Sequence, residues 1–237
     1  MGIGVGSTSC STSSVVQSVS VFIGGYSRLG TSDCHKTKVN CAIPCNKSKV
    51  KVMEITVKQL LAIMPNARAY IVKNKNFAGY SLESIVLRMN KYANEFGIDS
   101  PQRWAHYLAQ IAHESMELRY SEEIASGKAY EGRKDLGNIY KGDGVRFKGR
   151  GLIQLTGRAN YTTYKDFCGF DVVKQPELLC KPVGAIRSSM WFWWKKGLNT
   201  LADKDDFATI TRRINGGTNG WDDRKKYLGR AQKELYK

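Results

Sequence analysis

Two carboxylate side chains nine positions apart are the first candidates for chemistry in this sequence. Glu114 lies in the run His113-Glu114-Ser115, and Glu123 follows it next to Glu122. Cleavage of a glycosidic bond needs such a pair: a protonated acid that donates to the leaving oxygen, and an ionised carboxylate on the opposite side of the sugar. Any helix with solvated glutamates offers the same spacing, so the surrounding residues must decide between catalytic and structural acids.

The elements that would position these acids are helices. Apolar residues recur at three- and four-residue spacing over residues 57–64 and again over residues 85–96. A third helix is predicted to start after Ser100-Pro101, because proline is favoured in a first helical turn. Glu114 falls at the edge of the apolar stripe of this helix, where a side chain can be rooted in the core while its carboxyl group faces a cleft.

The rest of the chain combines a glycine-rich stretch with further helices. Seven glycines are spread over residues 124–151, which predicts a loop with a short hairpin. Helical patterns resume near residues 161–167, 183–195 and 207–214, and Asn215-Gly216-Gly217 is a typical helix stop. These patterns predict a compact, mainly α fold with one glycine-rich loop or small hairpin lobe.

Four motifs occur in order in the second part of the sequence. They are Ala112-His113-Glu114-Ser115, Glu123–Gly127 with Tyr130–Arg133, the run Phe147–Tyr161, and Ile214-Asn215-Gly216-Gly217. Their order and spacing resemble glycoside hydrolase family 19, which includes plant-type chitinases and phage endolysins. The resemblance covers about residues 54–237. It implies an α+β, lysozyme-like helical bundle in which the glycine-rich lobe flanks a substrate cleft.

The resemblance also implies catalytic roles. Glu114 matches the general acid, Glu123 the general base that activates water, and Thr156 the hydroxyl position that helps to hold that water. An inverting mechanism fits these roles, because it places its carboxyl groups roughly 6.5–9.5 Å apart to leave room for water. Glu122 and Glu131 are the alternatives to Glu123, which we favour over both.

Several further positions match substrate-binding residues of the family. The amides of Gln154, Asn160 and Asn215 match groups that bond sugar hydroxyls and N-acetyl groups, and Arg224 matches a basic residue in the electrostatic network of the acid. Tyr130 or Trp221 is the expected sugar platform. The structural alternatives are a helix cap for Asn215 and a surface position for Arg224. Most of the aromatic run Trp191–Trp194 is expected in the core, because consecutive helical residues point in all directions.

Residues 1–52 differ from residues 53–237, which we predict to form the catalytic domain. This arm is rich in Ser, Thr and Gly and holds four of the six cysteines, Cys10, Cys34, Cys41 and Cys45. It has no basic segment followed by an apolar core, so we do not predict a signal peptide. The cysteine spacing matches no standard zinc pair, which favours disulfides or free thiols over a metal site. We predict no metal and no cofactor.

The formal net charge of +16 indicates an anionic partner. The basic residues are scattered among acids and aromatics rather than gathered in a run, which disfavours nucleic acid. Bacterial peptidoglycan within an anionic cell envelope satisfies both observations.

The function expected from the resemblance is that of a monomeric endolysin-like muramidase, which cuts the bond between N-acetylmuramic acid and N-acetylglucosamine for host lysis. Such a protein would accumulate in the host cytoplasm and need a holin-type permeabilising partner to reach the wall. The first alternative is a chitinase, disfavoured by the short chain and the missing tryptophan-rich chitin-binding module. The second is a virion-associated lysin or a non-catalytic wall-binding component, in which the arm serves assembly.

Overall fold

The structure is a computed structural model that describes residues 52–237. All but the last residue of the predicted N-terminal arm lies outside the described residues, so the predictions for its role and its four cysteines are untested. The two remaining cysteines, Cys168 and Cys180, are free thiols. Within the described part, no helix has both the length and the apolar character needed to cross a membrane.

Ten α-helices make up most of the described chain. They are α1 (Val57–Ile63), α2 (Ala67–Lys73), α3 (Leu82–Glu95), α4 (Pro101–Glu114), α5 (Asp143–Arg146), α6 (Arg158–Cys168), α7 (Pro182–Lys195), α8 (Leu198–Asp203), α9 (Phe207–Asn215) and α10 (Trp221–Leu235). Short 3-10 helices occur at Lys75–Phe77, Lys128–Tyr130, Lys134–Leu136 and Pro176–Cys180. The predicted mainly helical fold is confirmed.

Local signals set the helix ends where the sequence predicted them. The Ser81 side chain accepts a hydrogen bond from the backbone N–H of Ser84 at the start of α3, and Ser100 does the same for Arg103 at the start of α4. Helix α9 ends before Gly216, whose φ of +74° is in the left-handed region that favours glycine.

Helix α10 was not predicted from the sequence. Its buried positions are Arg224, Tyr227, Leu228, Ala231 and Leu235. The spacing is helical, but the stripe includes an arginine and the rest of the helix is strongly charged, so the apolar pattern is weak. The short helices α2 and α8 were also missed, because each contributes only two buried residues.

The core is built around α4. Nine consecutive residues of this helix, Trp104–Ala112, are buried, and α10 packs along it. The Tyr107 ring meets the Trp193 ring edge-on at 5.5 Å. Trp191 and Trp193 are buried and the other two aromatics of that run pack against the core, as predicted. A helix buried along most of its length holds its last residue, Glu114, firmly.

The glycine-rich lobe is a set of turns held by polar contacts. The predicted hairpin is reduced to two isolated bridges, which pair Arg150 with Glu122 and with Leu155. The Arg158 guanidinium donates to both carboxylate oxygens of Asp143, at 2.8 and 2.5 Å. Asp143 is buried in the lobe and Arg158 is the first residue of α6, so this ion pair joins the lobe to the start of that helix.

Candidate active site

Glu114 is the last residue of α4 and is held by an arginine from α10. The Arg224 Nη2 donates to Glu114 Oε1 at 2.5 Å, and the Arg224 side chain is only 1% exposed. Arg224 is therefore not a surface residue: it lies against the predicted acid, as the family resemblance implied. Among the described residues, Glu114 Oε2 has no hydrogen-bond partner, and the side chain is 17% exposed.

Buried polar residues hold the arginine in turn. The Arg224 Nη1 donates to Gln110 Oε1 at 2.6 Å, and the Gln110 Nε2 donates to Thr211 Oγ1 at 3.0 Å. Gln110 and Thr211 are fully buried. Sequence reasoning missed both, although Gln110 stands one helical turn before Glu114, which is the spacing that puts two side chains on one face.

His113 also belongs to this end of α4. Its Nδ1 lies 2.8 Å from Asp223 Oδ2, and its ring lies against the backbone of Gly220, where a Cβ atom would come within 2.1 Å of the ring. These contacts give His113 a structural role. They also fix the start of α10, which carries Arg224.

The segment between the two acids turns sharply. Met116, Glu117 and Leu118 have φ values of +48°, +51° and +73°, in the region that non-glycine residues rarely adopt. The Glu117 carboxylate is buried and accepts hydrogen bonds from the Tyr227 hydroxyl at 2.8 Å and the Asn66 backbone N–H at 2.6 Å. These contacts hold the segment against α10 and the start of α2. They offset the free-energy cost of the positive φ values.

Glu123 is held by the glycine-rich lobe. The Tyr130 hydroxyl donates to Glu123 Oε1 at 2.9 Å, and the backbone N–H of Gly149 donates to Oε2 at the same distance. Burial and the neighbouring Glu123 raise the pKa of Tyr130, so the phenol stays protonated and acts as a donor. Tyr130, proposed above as a sugar platform, thus contacts the predicted base directly.

Gly149 lies between Glu123 and Gln154. A Cβ atom at this position would come within 2.8 Å of Gln154 Oε1 and 3.2 Å of Glu123 Oε2. The structure therefore brings the predicted amide Gln154 close to the predicted base. Gln154 has a φ of +57°, and its Nε2 donates to the Gly151 carbonyl at 3.0 Å.

Thr156 and Asn160 follow in the same motif. The Thr156 hydroxyl donates to the Gln154 carbonyl at 2.9 Å, and the Asn160 Nδ2 donates to the Thr156 carbonyl at 2.8 Å. Asn215 ends α9, with its Nδ2 3.5 Å from the Asn219 carbonyl. The Trp221 ring packs on Phe207, with centroids 5.4 Å apart. The roles predicted for Thr156, Asn160, Asn215 and Trp221 remain predictions.

The two alternative bases have structural partners. Glu131 accepts hydrogen bonds from the backbone N–H groups of Gly142 and Gly144, at 2.6 and 2.8 Å, so it shapes the lobe. Desolvation raises the pKa of Glu122, but the nearby charges of Lys148, Arg150 and Lys75 outweigh it and leave the pKa below its ordinary value. The choice of Glu123 over these two residues as the base remains a prediction. Within residues 52–237, no cluster of three or more His, Cys, Asp or Glu side chains could hold a metal ion.

Comparison with known proteins shows what this chain is similar to. The chain is 35% identical over 105 residues to a glycosyl hydrolase family 19 domain-containing protein of Haemophilus influenzae, a match that covers 44% of this chain and 50% of that protein. It is 33% identical over 140 residues to an endochitinase of Arabidopsis thaliana, covering 58% and 48%. The chain thus spans about half the length of the curated relatives it matches. No family model matches it.

Solved structures show the same fold. Chitinase C from Streptomyces griseus superposes with a TM-score of 0.62 at 19% identity, over 80% of this chain and 96% of that one. A second bacterial family 19 chitinase gives a TM-score of 0.57 at 19% identity, over 75% and 94%. The protein has the chitinase-like fold of glycoside hydrolase family 19, and its sequence is similar to members of that family.

Proposed function

We propose that this protein hydrolyses β-1,4 bonds in a polymer of N-acetylated amino sugars, with Glu114 as general acid and Glu123 as general base. The observation that carries the proposal is that the two carboxylates differ in their hydrogen bonds. Glu114 keeps one oxygen without a hydrogen-bond partner in the described residues, whereas both oxygens of Glu123 accept hydrogen bonds. An unpartnered oxygen can carry the proton to be donated, and an ionised carboxylate accepts hydrogen bonds without donating any.

The reaction then follows from these roles. Glu114 gives its proton to the glycosidic oxygen as the bond to the leaving sugar breaks, and Glu123 takes a proton from a water molecule that attacks the opposite face of the ring. Arg224 stabilises the carboxylate that forms on Glu114, since a buried guanidinium beside it favours negative charge. The attack from the opposite face inverts the configuration of the anomeric carbon.

Chitin is the first candidate substrate. The Arabidopsis relative and the two structural neighbours are named as chitinases. A neutral polymer of N-acetylglucosamine also suits a site with several predicted amide side chains, Gln154, Asn160 and Asn215.

Peptidoglycan is the second candidate substrate, and the observation that favours it is the net charge of the protein. The formal net charge of +16 favours association with an anionic wall over a neutral polymer. In this form of the proposal the protein is a muramidase of the endolysin type, which reaches the wall from the host cytoplasm after a holin-type protein has permeabilised the membrane.

One assay with two substrates tests the proposal. Wild type, Glu114→Gln and the control Glu83→Gln are assayed on chitin oligomers and on purified peptidoglycan, with mass spectrometry of the products. Glu83 is a matched control because it is an exposed glutamate that forms an ion pair with Arg68 at the surface. We expect Glu114→Gln to lower kcat by about 10²- to 10⁴-fold, the usual contribution of a general acid, and Glu83→Gln to behave as wild type.

The products then identify the substrate. Cleavage of chitin oligomers alone assigns a chitinase, and release of fragments with reducing N-acetylmuramic acid ends assigns a muramidase. Failure of wild type on both substrates, with the fold intact by circular dichroism, would refute the proposed function.

A further inference from the structure

A cleft with an excess of positive charge lies beside the segment that carries Glu123. Four cationic residues line it, Lys73, Lys75, Arg119 and Lys148, together with Glu122 and Glu123. We call this the basic cleft. Lys73 is the last residue of α2 and Lys75 begins the 3-10 helix that follows, so the cleft joins the helical body to the loop lobe.

One of the two carboxylates in the basic cleft, Glu122, already pairs with cations but does not saturate them. Glu122 lies 3.6 Å from Lys75 Nζ, 3.3 Å from Lys148 Nζ and 3.7 Å from Arg150 Nε. Close charge-assisted hydrogen bonds are nearer 2.7–2.9 Å. The Arg150 Nε is buried and has no hydrogen-bond partner among the described residues. The Lys75 side chain is 82% exposed, so it is free to turn towards a second anion.

Two further cations of the basic cleft have no acid to neutralise them. Within residues 52–237, no carboxylate oxygen lies within 4.0 Å of Lys73 or Arg119. The Arg119 guanidinium lies over the rings of Tyr70 and Tyr120, at 5.2 and 5.3 Å from their centroids. These contacts orient the guanidinium, and its N–H groups have no acceptor in the described part of the chain.

We propose that the basic cleft binds a carboxylate of an acidic glycan, through Arg119, Lys73 and Lys75. The choice of a glycan rests on the proposed function, because the cleft shares the Glu123 segment with the site of cleavage. A guanidinium and two ammonium groups in one cleft match a carboxylate, and they offer nothing comparable to a neutral chitin chain. The basic cleft is therefore a specificity determinant that favours acidic polymers over neutral ones.

A binding experiment tests this without requiring hydrolysis. The Glu114→Gln protein, in which cleavage is expected to be about 10²- to 10⁴-fold slower, is titrated with carboxymethyl chitin and with neutral glycol chitin, which differ mainly in charge. The same titrations are made with Lys73→Gln/Lys75→Gln and with Arg119→Gln added to that background. The control pair is Lys58→Gln/Lys204→Gln, which removes two exposed lysines outside the cleft.

We expect the protein to bind the carboxymethylated polymer more tightly than the neutral one at low salt. Each cleft variant should reduce that preference roughly two- to fivefold for each charge removed, since an exposed charge pair contributes up to about 1 kcal/mol. The control pair should retain most of the preference. An equal preference in the cleft variants and the control pair would overturn the inference, as would equal binding of both polymers by the parent protein.

The two proposals can fail separately. If the preference depends on the cleft lysines but wild type cleaves neither chitin nor peptidoglycan, the basic cleft stands and the proposed hydrolysis does not. If wild type cleaves a polymer but the preference is absent, the hydrolysis stands and the cleft proposal does not.

Discussion

Glu114 and Glu123 lie at the two ends of one short segment, but different kinds of structure hold them. Glu114 ends a helix of 14 residues and is fixed by side chains, above all by the buried Arg224. Glu123 lies in a loop and is fixed by one side chain, Tyr130, and by the backbone N–H of Gly149. The acid therefore depends on a long-range side-chain network, and the base depends on a local backbone conformation.

This difference determines which substitutions each end tolerates. At the acid end, loss of one side chain leaves buried polar groups without partners, so folding and activity should fail together. At the base end, a small change in backbone geometry displaces the carboxylate while the helical core is untouched, so activity should fail alone.

The largest effect is expected for Arg224→Ala. It removes the partner of Glu114 Oε1 and of Gln110 Oε1 in the core, so the free energy of unfolding should fall by about 3 kcal/mol or more. Urea denaturation measures this change. The control Arg212→Ala, at an exposed position of α9, should cost less than about 1 kcal/mol. An Arg224→Ala protein as stable as the control would contradict the role of the network.

Gly149→Ala should separate activity from stability. The added Cβ atom meets Gln154 Oε1 and Glu123 Oε2, so both side chains must shift while the core keeps its packing. We expect kcat/KM to fall about 10- to 100-fold, because small displacements of catalytic groups are costly. The matched control is Gly229→Ala on α10, where a Cβ atom has open space. A large loss of stability with normal specific activity would show that Gly149 serves the stability of the fold and not the position of Glu123.

Tyr130→Phe removes one of the two donors to Glu123. A hydrogen bond to a charged group contributes about 1.5–3 kcal/mol. Because the Gly149 N–H still donates to Glu123, we expect the lower end of that range, which is a roughly tenfold fall in kcat with little change in KM. Tyr140→Phe is the control, because Tyr140 is exposed in the same lobe. If KM rises and kcat is unchanged, Tyr130 binds the sugar instead, as the sequence first suggested.

The smallest effect is expected for Glu122→Gln. The folded-state pKa of Glu122 lies below its ordinary value of 4.5, so its ion pairs stabilise the fold above about pH 4.5 and lose that effect as pH falls through the folded pKa. At pH 7 the substitution should cost about 1 kcal/mol of unfolding free energy, and the difference from wild type should shrink towards pH 3. A cost that is the same at both pH values would exclude this electrostatic origin.

The sequence predicted more of the acid end than of the base end. Helix α4 follows from an N-cap serine, a proline and an apolar stripe, and these local rules place Glu114 at the edge of that stripe. Arg224 was expected near the acid only by resemblance, because its helix α10 has a weak apolar pattern.

The contacts of Glu123 could not be predicted in the same way. The donor Gly149 lies 26 residues further along the chain, and a glycine in a loop gives no sign of which carboxylate its N–H will meet. Gln110 and Glu117 were missed for a related reason. Polar residues are usually exposed, and only the packing of α10 shows that these two are buried.

The most direct test of the account is the configuration of the first product. Proton NMR of the polymer that proves to be cleaved, recorded in the first minutes before mutarotation, distinguishes the α- from the β-anomer of the new reducing end. With Glu114 as acid and Glu123 activating water, the β-linked substrate must give the α-anomer first. Initial release of the β-anomer would mean net retention, and would contradict the roles assigned here to the two carboxylates.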